Sequence, residues 1–253
     1  MENRRPLIAG NWKMFKTCSE AVETTRRLLT LLEKNVDTDV MIAPPFTALA
    51  AVANIAKGSL ISVGAQNLFW EKEGAYTGEI SAPMIASAGC KYVIIGHSER
   101  RRYFGDTDQT VNRKIAAAIQ NDLIPIFCVG ESEKERESKE TFSVLDKQVK
   151  KGLENFSSND LKTLVIAYEP VWAIGTGKTA TRIQAQEAHA FLRSKLVKCF
   201  GNKLAKSIRI LYGGSVKPNN ISELMAMPDV DGALVGGASL DAETFRKIID
   251  FQT

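Results

Sequence analysis

The side chains that could do chemistry sit in a few short stretches: Asn11-Trp12-Lys13, Gly96-His97-Ser98-Glu99, Glu169-Pro170, Gly213-Gly214-Ser215 and Gly236-Gly237. Each follows closely on a short apolar run. Together they offer an amide, an ammonium, an imidazole, two carboxylates and two glycine-rich turns. A carboxylate can act as a general base, and an imidazole can polarise or protonate a carbonyl oxygen. Paired glycines let backbone N–H groups close on an anion, and Lys13 adds positive charge. The set suits abstraction of a proton α to the carbonyl of a phosphorylated substrate. Singly these residues say little, because a Glu at a strand end more often caps a helix or pairs with a base. Their meaning depends on a fold that gathers them on one rim.

The apolar runs lie at 7–9, 40–43, 60–63, 92–95, 124–129, 164–168, 208–212 and 233–235. They are nearly continuous rather than alternating, as in strands buried on both faces, hence a parallel sheet. Helical patterns follow most of them. Ser19 is placed to cap a helix with Ala21, Val22, Leu28, Leu29 and Leu32 on one face. Val111, Ile115, Ala118 and Ile119 repeat at helical spacing. Thr181 and Gln184 form a capping box before Ala188, Phe191, Leu192 and Leu196. Phe245, Ile248 and Ile249 make a last stripe. The charged stretch from Lys134 to Asn155 reads as one helix on the outer surface. Eight strands alternating with helices predict a (β/α)8 TIM barrel of the α/β class, one domain over residues 1–253. Its active site then lies at the C-terminal ends of the strands. A doubly wound open sheet is the alternative, but no glycine fingerprint directly follows the first strand.

Composition narrows the chemistry. The 253 residues carry 33 Lys+Arg against 29 Asp+Glu, a net charge of +4, too weak to point to nucleic acid. Two histidines and four dispersed cysteines without a CxxC leave no metal pattern, so no metal or other cofactor is expected. The cysteines fit reduced thiols in a cytoplasmic protein. The N-terminal apolar run is too short for a signal segment, and no stretch is long and apolar enough to span a membrane.

The residues that carry a resemblance are Asn11-Trp12-Lys13, the stretch from Tyr92 to Arg101 (YVIIGHSERR), the stretch from Ala167 to Gly177 (AYEPVWAIGTG), Tyr212-Gly213-Gly214-Ser215-Val216 and the stretch from Leu234 to Leu240 (LVGGASL). In this order they resemble the triosephosphate isomerase family, from about residue 5 to the C-terminus. The resemblance implies an isomerase that interconverts dihydroxyacetone phosphate and D-glyceraldehyde 3-phosphate. Glu169 is then the base and His97, neutral in the family, the proton shuttle at the oxygens. Lys13 offsets enediolate and phosphate charge, Asn11 orients its neighbours, and Glu99 pairs with Lys13. Gly175, Ser215, Gly236 and Gly237 hold the phosphate. The segment from Pro170 to Ala180 resembles a mobile lid. His189, in the helix after the sixth strand, is expected to be structural. A metal-dependent sugar-phosphate epimerase and a non-catalytic barrel are the other readings.

Two motifs in that segment are decoys. Gly177-Lys178-Thr179 would need glycine at position 172 to be a P-loop, and that residue is Trp172. Gly175-x-Gly177-x-x-Ala180 does not immediately follow a strand, and the acidic residue of a dinucleotide site is missing about 20 residues on. The connection from Gln66 to Ile80 is long for a strand–helix loop and carries Phe69, Trp70 and Tyr76. Aromatics exposed in such a loop ask for a partner surface. The resemblance implies a homodimer in which this loop, with Thr77 near its tip, inserts beside Lys13 and His97 of a second subunit. The alternative is a flap over its own barrel. Met14-Phe15 and Asp241 depart from common family patterns.

Overall fold

A computed structural model of the chain describes residues 4–32, 37–174 and 178–251. Eight strands form a closed barrel in chain order, every neighbouring pair parallel. They are β1 (Leu7–Asn11), β2 (Asp39–Ala43), β3 (Ile61–Ala65), β4 (Tyr92–Ile95), β5 (Ile124–Val129), β6 (Val165–Tyr168), β7 (Arg209–Tyr212) and β8 (Gly232–Val235). The helices around them are α1 (Cys18–Leu31), α2 (Leu49–Ala56), α3 (Ala82–Ser87), α4 (Ser98–Tyr103), α5 (Asp108–Ile119), α6 (Glu133–Glu137), α7 (Thr141–Gly152), α8 (Arg182–Phe200), α9 (Asn202–Ser207), α10 (Ile221–Met225) and α11 (Ala242–Ile249).

The continuous apolar runs have a simple cause. Side chains alternate across a strand, and here both sides are dry. Leu7, Ala9, Met41, Ile94, Ile126 and Leu211 fill the barrel interior. Ile8, Ile42, Val93, Ile95, Ile166 and Ile210 pack beneath the helices. Fully burying each Leu, Ile, Val or Met side chain among them contributes about 1.5–3 kcal/mol. At the opposite end from the strand-end residues, Arg209 donates to Asp39 at 2.7 Å.

Two helix expectations change. The N-cap of α1 is Thr17, not Ser19: Thr17 and Glu20 form the reciprocal capping box. The glutamate that closes the box stands three residues after Thr17, and nothing equivalent follows Ser19. The charged stretch from Lys134 to Asn155 is two helices, α6 and α7, rather than one. Lys139 between them takes a positive φ of 59°, which no helix continues through. On α7, Leu145 and Val149 are buried. The Thr181–Gln184 box forms as expected, and Phe245, Ile248 and Ile249 of α11 are buried.

The loop from Gln66 to Ile80 closes at its neck, where Phe69 N–H donates to Ile80 O at 2.8 Å. Of its aromatics, Tyr76 is exposed as expected, while Phe69 and Trp70 are half-buried, with Trp70 against the core. Phe69 lies 4.1 Å from Trp70 and 4.7 Å from Tyr76 between ring centroids. Residues 71–79 are exposed, Thr77 among them. His189 is fully buried on α8. Among the described residues the four cysteines are free, and no helix is long and apolar enough to cross a membrane.

Candidate active site

The Glu169 carboxylate and the His97 imidazole arrive from neighbouring parts of one rim. Glu169 follows β6, and its N–H donates to Val129 O at the end of β5, at 2.7 Å. Its side chain is only 2% exposed. Oε2 accepts the Ser98 N–H at 2.8 Å. Oε1 lies 2.8 Å from His97 Nε2 but has no aligned hydrogen-bond donor among the described residues. His97 caps α4, and its Nδ1 accepts the Glu99 N–H at 3.2 Å. A neutral ring whose Nδ1 accepts must carry its proton on Nε2, the nitrogen that faces Glu169. Burial is the largest influence on the His97 pKa and lowers it. The Glu169 carboxylate, with Glu99 behind it, outweighs burial, so the net shift is upward.

Lys13 projects from just beyond β1. It holds a left-handed φ of 50°, which costs a non-glycine residue about 1–2 kcal/mol. Two polar contacts sustain it. Asn11 Oδ1 accepts the Lys13 N–H at 3.0 Å. Gln66 Nε2 donates to Lys13 O at 2.8 Å and to Ala43 O at 2.9 Å. The ammonium meets Glu99 Oε1 at 2.6 Å. Across the rim, Gly213 leaves room for the Glu169 side chain: a Cβ there would lie 2.9 Å from Glu169 Cγ.

These groups share a cavity of about 290 Å³ lined by Asn11, Lys13, His97, Glu169, Gly213, Gly214, Ser215, Lys217, Gly236 and Gly237, among others. A hollow of about 580 Å³ beside α2, β3 and the end of α3 is larger. Its lining has two lysines but no carboxylate and no imidazole, whereas Lys13, His97 and Glu169 line the smaller one and Glu99 stands behind Lys13 and His97. Gly237 faces open space on the side a Cβ would occupy. Gly175, expected at the phosphate, lies outside the described residues.

Glu131, which the sequence did not single out, holds the start of the segment after Glu169. It is fully buried, and its Oε1 accepts from Trp172 Nε1 at 2.9 Å and Tyr168 OH at 3.1 Å. Arg136 Nη1 reaches the same oxygen at 3.3 Å and its guanidinium lies over the Trp172 ring. At the other end of the segment Lys178 pairs with Glu133. Gln66 and Lys217 were also missed. Gln66 works through backbone carbonyls that only barrel closure brings to it. Lys217 lies two residues past the Gly-Gly-Ser turn, and that proximity was a usable signal.

Residues 6–252 match the family model described as triosephosphate isomerase. The chain belongs to the triosephosphate isomerase family. It is 59% identical over 251 residues to the triosephosphate isomerase of Moorella thermoacetica, covering 98% of this chain and 99% of that one. To those of Geobacter metallireducens and Geotalea uraniireducens it is 56% and 53% identical, at the same coverage. The triosephosphate isomerase match contains all eight strands and every residue named in the cavity.

Proposed function

We propose that the chain is a cofactor-free isomerase that interconverts dihydroxyacetone phosphate and D-glyceraldehyde 3-phosphate through an enediolate, in glycolysis and gluconeogenesis. The observation that carries this reading is the buried Glu169 carboxylate 2.8 Å from His97 Nε2, in one cavity with Lys13 and two glycine turns.

Glu169 at rest is parked on Ser98 and His97. With substrate present it leaves them, takes the proton from the carbon beside the carbonyl and, after the carboxyl proton has had time to exchange, delivers a proton to the neighbouring carbon. His97 gives its Nε2 proton to the carbonyl oxygen and takes one from the adjacent hydroxyl. The upward push on its pKa comes first from the parked carboxylate and less from Glu99. Once Glu169 moves to the substrate, burial and the Glu99 N–H on Nδ1 both favour the neutral ring. Lys13, held by Glu99, offsets the charge on the enediolate and phosphate. Asn11 orients Lys13 through its N–H. Ser215, Gly236, Gly237 and Gly175 supply phosphate donors. The segment from Pro170 to Ala180 closes over the intermediate, which would otherwise lose phosphate, and keeps water out. A coupled assay on glyceraldehyde 3-phosphate tests the reading: turnover without added metal or cofactor is expected, and none would overturn it.

The protein works in the cytoplasm as a homodimer, with neither nucleic acid nor membrane as a partner. Exposed apolar side chains support the dimer. Met14 is 94% exposed, and Phe15, Tyr76, Tyr103 and Phe104 are exposed as well. Exposed residues 71–79 provide the arm that reaches the Lys13 side of a second copy. Light scattering on the purified protein should give twice the chain mass, whereas a fully active monomer would contradict this arrangement.

A further inference from the structure

Arg101 lies on α4 and does not line the cavity, yet its guanidinium forks between two strand ends that serve it. Nε donates to Gly96 O at 2.8 Å and Nη2 to Cys128 O at 3.3 Å. Nη1 meets Asp108 Oδ1 at 2.6 Å. Gly96 is the residue before His97. Its φ is +71°, and a Cβ there would lie 2.7 Å from Val111 Cγ2, so only glycine fits the turn from β4 into the imidazole. Cys128 stands next to Val129, the residue whose carbonyl receives the Glu169 N–H. One side chain thus ties the strand end that presents His97 to the strand end against which the backbone of Glu169 is pinned.

The chemistry of the group fits this work. A guanidinium is planar, with donors at fixed angles, and can serve two carbonyls and a carboxylate at once. An ammonium on a flexible stem cannot fix their separation in the same way. Asp108, the first residue of α5, anchors the fork, and the Thr107–Thr110 capping box holds that helix start.

We propose that Arg101 is a positioning residue of the isomerisation: it sets the separation and orientation of His97 and Glu169 without touching the substrate. The proposal rests on the roles given to those two residues above. A misplacement of about 1 Å can cost about 100-fold in rate.

Arg101→Lys tests this, because it keeps the charge and stem and loses the fork. The expected result is a fall in kcat of about ten- to a hundredfold with KM changed by less than about threefold. The ring 15N signals of His97 should move away from the single Nε2–H tautomer. In Arg101→Ala, added guanidinium ion should restore part of kcat and methylammonium should not; if that variant does not fold, Arg101→Lys decides alone. Wild-type kcat in Arg101→Lys would overturn the proposal. So would unmoved ring signals, or a loss explained wholly by fewer folded sites with normal turnover per site. His97→Gln and Glu169→Gln are measured alongside. If they remain active, the roles assigned to His97 and Glu169 fail; if they collapse while Arg101→Lys is silent, only the role of Arg101 fails.

Discussion

His97 follows β4 and lines the cavity, while His189 lies on α8 between the rings of Tyr168 and Tyr212. Both rings are out of water, at 6% and 0% exposure, so burial does not distinguish them. The backbone does. The Nδ1 of His97 receives an N–H, from Glu99, and its proton is therefore on Nε2, facing a carboxylate in the cavity. The Nδ1 of His189 faces a carbonyl, that of Asp229 at 3.1 Å, so its proton is on Nδ1 and Nε2 meets no hydrogen-bond partner among the described residues. Burial, the largest influence, pulls the His189 pKa down to about 4. The neighbour chosen for one ring nitrogen decides whether the other carries its proton into the cavity or is sealed in the wall without one.

The strongest way to break this contrast is to remove the carboxylate that gives His97 its company. Glu169→Gln should lower kcat by about 10²–10⁴-fold while the far-ultraviolet circular dichroism stays the same; near-normal turnover would end the base assignment. The histidines themselves come next. His97→Gln should cost about a hundredfold in kcat, and His189→Gln should leave kcat within about twofold, because no proton of the reaction passes through it. Equal losses in the two variants would erase the distinction.

The smallest expected effect is on acid stability. The folded-state pKa of His189 lies below its unfolded value of about 6.5. Its neutral form is therefore no burden above that pH, and stability is lost as pH falls from about 6.5 towards 4, where only the unfolded chain takes up the proton. By pH 5 this contributes about 2 kcal/mol. Urea unfolding at pH 7 and pH 5 should show that extra loss in the wild type and not in His189→Gln. Identical losses would mean that His189 already finds a proton in the folded state.

The barrel was legible because two-faced burial leaves a plain trace, an unbroken apolar run, and each of the eight runs holds a strand. Element ends were less so. Thr17 and Ser19 are both competent caps, and the choice turned on the position of Glu20. The break at Lys139 depends on a backbone conformation that charge patterning does not encode. In the site, the groups that bear charge stood out by type at strand ends. The groups that hold them did not. Gln66, Glu131 and Arg101 act on carbonyls and ring N–H groups from distant parts of the chain, and those partners exist only once the barrel has closed.

The central claim is that Glu169 moves a carbon-bound proton. It is tested most directly by incubating dihydroxyacetone phosphate with the protein in deuterium oxide and following the hydroxymethyl carbon by proton NMR. The account predicts that one deuterium enters at that carbon with the wild type, and that Glu169→Gln slows its entry in step with kcat. Exchange at the wild-type rate in Glu169→Gln would contradict it.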